Sequence, residues 1–152
     1  HREFNTSALR LVFDRKASLL QEKEMVARAH ALMDFVGLGQ GVSDRVATTL
    51  SYGHQRRVEV ARAMMLNPKL LLLDEPLAGM NAHEKEEIAE LIGVIRLKGV
   101  SVLLIEHDMQ VVRSVCDHLT VMNHGKMLAD GPTEEVLATP AVHAAYLGKA
   151  RA

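Results

Sequence analysis

A run of four leucines, Leu70 to Leu73, ends in Asp74-Glu75-Pro76, and a second aliphatic run, Val102 to Ile105, ends in Glu106-His107-Asp108. Carboxylates and an imidazole delivered to the tips of two core strands can do hydrolytic chemistry. Asp74 can hold Mg²⁺, usually through water, while Glu75 can act as the base toward a water beside a phosphate. His107 can hydrogen-bond that phosphate or the attacking water and so help orient Glu75. Taken singly, each has a plainer reading: the acidic pair as a solvated turn after a core strand, the histidine as a surface or capping residue. What separates His107 from His1, His30, His54, His83, His118, His124 and His143 is its place after a second core strand, downstream of the acidic pair.

A third segment, Leu50-Ser51-Tyr52-Gly53-His54-Gln55-Arg56-Arg57, leads into the helical pattern Val58, Val60, Ala61, Ala63 and Met64. Ser51 stands where a helix N-cap belongs. A helix start offers unpaired N–H groups and a partial positive charge, and Gly53 lets backbone approach a phosphate closely. The alternative is an ordinary capped helix with no ligand.

The elements that must position these residues are legible. Leu19, Met25, Val26, Ala29, Leu32, Met33 and Val36 recur at helical spacing until Gly37 and Gly39 stop the run, and residues 37–49 read as a connecting loop. Beyond Asn67 the pattern changes. Lys69 to Leu73, Ser101 to Ile105 and Leu119 to Met122 are continuous enough in hydrophobicity to be buried strands. Between the first two, Ala82 to Lys98 places Ile88, Leu91, Ile92 and Ile95 on one helical face, so the order is strand, helix, parallel strand. Asn123-His124-Gly125-Lys126 is a hairpin turn, Thr133 is a candidate helix cap through its hydroxyl, and residues 141–147 form a last amphipathic helix.

Composition narrows the class. The chain has 152 residues, 48% of them hydrophobic, enough for one globular domain or a part of one. Lys plus Arg number 18 against 19 Asp plus Glu, so there is no electrostatic footprint for nucleic acid. No apolar run approaches the roughly 20 residues that cross a bilayer, so any membrane role is expected to be peripheral. The chain starts at His1 without a signal-peptide pattern, from which a processed, engineered or truncated start and a cytoplasmic location are expected. The single cysteine, Cys116, lies in an apolar helical pattern and reads as a structural thiol.

The order Leu-Ser-x-Gly-x-Gln, four aliphatics with Asp-Glu, then a histidine after a second strand, resembles the ATP-binding cassette (ABC) transporter ATPases over essentially the whole chain. The resemblance implies an α/β fold of the P-loop NTPase type, here partial: a helical subdomain with its signature helix over residues 1–66, and an incomplete parallel sheet with flanking helices over 67–152. It implies ATP and Mg²⁺ as cofactors, with Asp74 on the metal, Glu75 polarising water and His107 sensing the γ-phosphate. Ser51, Tyr52, Gly53, His54 and Gln55 would meet ATP bound to a second ATPase subunit in a head-to-tail dimer. Leu77 to Asn81 resembles the loop that crosses that interface, with Asn81 beside the nucleotide. Tyr52 in place of a glycine, His54 in place of a glutamine and Asn81 in place of an aspartate narrow the subfamily. With Ile-Glu-His-Asp-Met and the terminal string Ala145 to Gly148, they look like ATPase subunits of branched-chain amino acid importers. Such subunits work with transmembrane permease subunits at the cytoplasmic face of the inner membrane. Lipopolysaccharide exporters or other solute transporters, and a non-catalytic chain that pairs with a complete ATPase, are the alternatives.

One motif of that family has no counterpart here. A P-loop needs Gly, four residues, then Gly-Lys-Ser/Thr, so that backbone amides and a lysine cradle the phosphates. Gly125-Lys126 is followed by Met127, and Gly148-Lys149 by Ala150. The resemblance therefore implies a sheet missing central strands, with apolar edges left exposed and poor solubility or dependence on a partner, and residues 1–152 alone are expected not to turn over ATP.

Overall fold

The computed structural model describes residues 4–147; Gly148 and His1 lie outside the described residues. The chain divides into two compact units, His1–Pro68 and Lys69–Ala152.

In the first unit a long helix, α1 (Phe4–Phe35), ends where Gly37 takes a left-handed φ of 77°. The amides of Gly37 and Leu38 turn back to the carbonyls of Asp34 and Met33, closing the helix as glycine-terminated helices do. The Arg57 side chain also closes over this turn. Arg57 Nη1 donates to the Val36 carbonyl at 2.7 Å, and a Cβ on Gly37 would sit 2.7 Å from that same nitrogen. The segment expected as a plain loop holds a short helix, α2 (Gln40–Ser43), and a 3₁₀ turn at Ala47–Thr49, before α3 (Tyr52–Met64) begins. α3 packs on α1 with Val60, Ala61 and Met64 buried, and Val36 and Leu38 complete this small core. Among the described side chains of α1, Leu19, Met25 and Val26 are exposed and Ala29, Leu32 and Met33 half-buried, while Val36, just past its end, is buried.

In the second unit β1 (Leu70–Asp74) pairs in parallel with β2 (Ser101–Ile105), Leu70 opposite Ser101 and Asp74 opposite Ile105. The connection is α4 (Ala82–Leu97), which buries Ile88, Leu91, Ile92 and Ile95, the residues that the helical spacing marks out. α5 (Met109–Val115) packs against α4 and buries Val111, Val112 and Val115. β3 (His118–Asn123) and β4 (Lys126–Pro132) form a separate antiparallel hairpin. Its two-residue turn has φ of 48° at His124 and 73° at Gly125, the pairing that matches strand twist. α6 (Thr133–Leu137), α7 (Pro140–Val142) and a π-helical turn at His143–Leu147 cover it, Val136 and Val142 packing on Val121.

Two sequence expectations need correction. The first two strands are not buried on both faces: Leu71 is buried, but Leu70, Leu72, Leu103 and Ile105 are each more than half exposed. Burial alternates along residues of uniform hydrophobicity because, among the described residues of this unit, helices cover one face only. Thr133 does not cap α6. Its hydroxyl donates to the Cys116 carbonyl at 2.7 Å, tying α6 to the end of α5, and Pro132 holds the cap position. Cys116 is half-buried, and burial pushes its thiol pKa up, as suits a structural residue.

Ile95, on α4, is fully buried. Ile95→Ala is expected to cost about 2–5 kcal/mol, read as a lower urea midpoint with unchanged slope; an unchanged midpoint would show that α4 is not the packed cover described.

Candidate functional site

Because β1 and β2 run parallel and in register, the residues that follow them leave the sheet at the same edge. Glu75 donates its amide to the Ile105 carbonyl at 2.9 Å, extending the pairing by one residue, and does so with a left-handed φ of 43°. Such a conformation costs energy in a residue other than glycine, and it turns the chain sharply after Glu75. Pro76 and Leu77 then bury, Leu77 to 1% exposure. His107 Nδ1 lies 3.8 Å from Glu75 Oε1, with both side chains open to solvent. The structure thus brings Glu75 and His107 together, each on its own strand tip. Asp74, the last residue of β1, is exposed beside them.

The Glu106 side chain, by contrast, is 1% exposed. Its Oε1 accepts the Leu77 amide and its Oε2 the His107 amide, both at 3.1 Å. Nothing in the sequence distinguishes this carboxylate from a solvated one except its position directly after an apolar strand. Sequence reasoning passed over it.

Asn81 and Glu84 form a reciprocal capping box at the start of α4, each side chain accepting the other's amide at 3.0 Å. The Asn81 side chain is therefore committed to the helix start and fixes the end of the Leu77–Asn81 loop. Asp108 caps α5 by accepting the Gln110 amide, and Lys85 Nζ meets its other oxygen at 2.6 Å.

In the first unit Ser51 caps α3, its hydroxyl accepting the His54 amide at a long 3.4 Å, and Gly53 is buried in the first turn. Gln55 turns its side chain back to the Leu50 carbonyl at 2.9 Å. Tyr52 is held along the helix: Arg56 donates to its hydroxyl at 2.6 Å and stacks over its ring at 5.1 Å. Glu59, 2.6 Å from Arg56, raises the guanidinium pKa further. His54 is exposed. The start of α3 thus carries Ser51 and His54 exposed, with the His54 and Gln55 amides both turned to Ser51.

No three His, Cys, Asp or Glu side chains cluster as a metal cage among the described residues. Mg²⁺ keeps several waters and is held through one or two carboxylates plus phosphate oxygens. Asp74 meets the requirement as a single exposed carboxylate at the strand tip.

The mixed helix-and-strand arrangement is that of an ATP-binding cassette. It superposes on the ADP conformation of MJ1267, an ATP-binding cassette of an ABC transporter, with a TM-score of 0.75 and 36% identity, over 82% of this chain and 50% of that one. A nucleotide-free ATP-binding cassette from an ABC transporter matches with a TM-score of 0.72 and 36% identity, over 78% and 48%. Residues 3–78 match the ABC transporter family, and the chain belongs to it. It is 44% identical to the high-affinity branched-chain amino acid transport ATP-binding protein BraF of Pseudomonas aeruginosa, across 99% of this chain and 59% of the relative. It is 42% identical to LivG of Escherichia coli, the high-affinity branched-chain amino acid transport ATP-binding protein, across 85% and 51%. The chain thus spans somewhat more than half the length of these curated relatives.

The Lys85–Asp108 pair joins the starts of α4 and α5 behind the strand tips. The Lys85 hydrogen bond holds the Asp108 carboxyl below its usual 3.8. A depressed folded pKa means that the pair stabilises the fold above the ordinary aspartate range, and that this stabilisation is lost as pH falls through the folded value. Lys85→Gln is expected to raise the Asp108 pKa toward 3.8 and remove that part of the acid sensitivity, measured by carboxyl ¹³C titration. A carboxyl that titrates identically in both proteins would contradict the pairing.

Proposed function

We propose that this chain is the signature-and-hydrolysis part of the ATP-binding subunit of an ABC importer for branched-chain amino acids, coupling ATP hydrolysis to transport. The observation that carries the hydrolytic reading is the approach of Glu75 and His107 to 3.8 Å at the tips of two paired parallel strands. The cargo class rests on the identity to BraF and LivG. Residues 1–66 act as the helical subdomain and signature helix, and residues 67–152 as the catalytic-core part.

In this reading Glu75 is the base: its exposed carboxylate accepts a hydrogen bond from water and takes up the proton as the water oxygen bonds to the γ-phosphorus of ATP, while the bond from that phosphorus to the β–γ bridging oxygen breaks and ADP leaves. His107 donates to the γ-phosphate or to the water and keeps Glu75 oriented. Asp74 would hold Mg²⁺, which when bound neutralises charge on the β- and γ-phosphate oxygens. Ser51, Tyr52, Gly53, His54 and Gln55, at the start of α3, would contact ATP held by a second ATPase subunit arranged head to tail. The Ser51 hydroxyl and first-turn amides are the groups suited to an anion. Asn81 contributes by fixing the loop that meets that nucleotide.

The partners in this account are transmembrane permease subunits and the second ATPase subunit. The site of action is the cytoplasmic face of the inner membrane, reached peripherally; no helix among the described residues is long and apolar enough to cross a bilayer.

In the complete ATPase that carries this chain, Glu75→Gln is expected to lower kcat by about 10²–10⁴-fold while leaving ATP affinity within twofold, read by steady-state hydrolysis and equilibrium nucleotide binding. Hydrolysis retained at the parent rate would remove Glu75 from the chemistry.

A further inference from the structure

We propose that Glu106 is a positioning residue for hydrolysis, a buried carboxylate that latches the loop carrying Glu75 to the loop carrying His107. The inference rests on the hydrolytic reading above and adds a residue to it.

A carboxylate accepts hydrogen bonds and cannot donate when ionised, and its two oxygens can serve two donors at once. Here the two donors come from different loops. Oε1 takes the amide of Leu77, two residues after Glu75, and Oε2 takes the amide of His107 itself. Burying a charge is costly unless it is paired or hydrogen-bonded. With its side chain 1% exposed, Glu106 has both carboxyl oxygens taken by these two amides.

The consequence falls on Glu75. Its own amide is tied to Ile105 O, immediately before Glu106, and the chain just beyond it is tied to the Glu106 carboxylate. Glu75 therefore occupies a left-handed turn fastened on both sides to the residues preceding His107. Besides the latch, the strained φ of 43° at Glu75 is held by the Ile105 bond, by the Ala78 amide donating to the Glu75 carbonyl at 3.2 Å, and by the burial of Leu77. His107 Nδ1 stands 3.8 Å from Glu75 Oε1 and 3.8 Å from Glu106 Oε2, so the imidazole is set against both carboxylates. Displacements of about 1 Å in such a constellation cost on the order of 10²-fold in rate.

The test uses two readouts. Glutamine at this position has one acceptor oxygen and an NH₂ group, so Glu106→Gln leaves one of the two amides facing a donor. In the complete ATPase, Glu106→Gln is expected to lower kcat by about 10–100-fold with KM for ATP changed less than twofold. In ¹⁵N-labelled 152-residue chain, the Leu77 and His107 amide protons should move upfield and exchange faster, while the amides of Ile92 and Ile95 in α4 keep their protection. Should that protection collapse, Glu106→Asp carries the test: it keeps both acceptors but retracts them by one methylene, and a smaller loss of kcat is expected with α4 intact. Amides displaced with kcat unchanged would overturn the proposal, as would unchanged amides. If Glu75→Gln leaves hydrolysis intact, the hydrolytic reading fails on its own, whatever the amides of Leu77 and His107 do in the Glu106 variants.

Discussion

The site depends on one constraint, the parallel register of β1 with β2. Setting Leu70 opposite Ser101 places Asp74 opposite Ile105, and the next residue of each strand then leaves the sheet at the same edge. A slip by one residue would turn the side chains of one strand to the other face and separate Glu75 from His107. The register is held from one side by α4, whose buried isoleucines and leucine lie under the pair, and at the tip by the Glu75 amide on Ile105. The chemistry therefore inherits its geometry from backbone pairing. The exposed side chains of Glu75 and His107 add little to the fold, and that leaves them free to act.

The rest of the second unit stiffens that edge. Asn81 and Glu84 cap α4, Asp108 caps α5, and Lys85 joins the two helix starts. Each loop leaving a strand tip thus enters a helix whose first turn is already satisfied, so neither loop has slack at its far end. Glu106 fastens the two loops to each other at the near end. The tip is a set of backbone amides held by carboxylates, with the side chains of Glu75 and His107 projecting from it.

Much of this was legible in the sequence, and the reasons are local. The second strand runs over Ser101–Ile105 as its aliphatic run predicts, and α4 buries the four residues its spacing selects, because period and burial report the same face. The turn at His124-Gly125 was legible from glycine's tolerance of positive φ. What escaped depended on distant partners. Glu106 looks like any acid after a strand until the Leu77 amide, 29 residues away, is found on its oxygen. Thr133 looks like a cap until its hydroxyl is seen on Cys116. The leucines of β1 suggested two covered faces, because hydrophobicity records what a strand can bury and not what lies on it. Among the site residues, the placement of Ser51 at a helix start and of Asp74, Glu75 and His107 at strand ends was readable from spacing; the 3.8 Å approach was not.

The resulting account is a division of labour. In the proposed function these residues would supply a water-activating base, its histidine partner, a metal-side carboxylate and a helix start facing a phosphate, while no Gly-x4-Gly-Lys-Ser/Thr string among the 152 residues supplies a cradle for the nucleotide. The most direct measurement is a titration of the ¹⁵N-labelled 152-residue chain with Mg·ATP, following the amides of Ser51, Gly53, Glu75 and His107. The account predicts no saturable shift up to millimolar nucleotide. Saturable shifts with a micromolar Kd at those amides would contradict it, because the phosphates would then be held by residues that have no cradle in this reading.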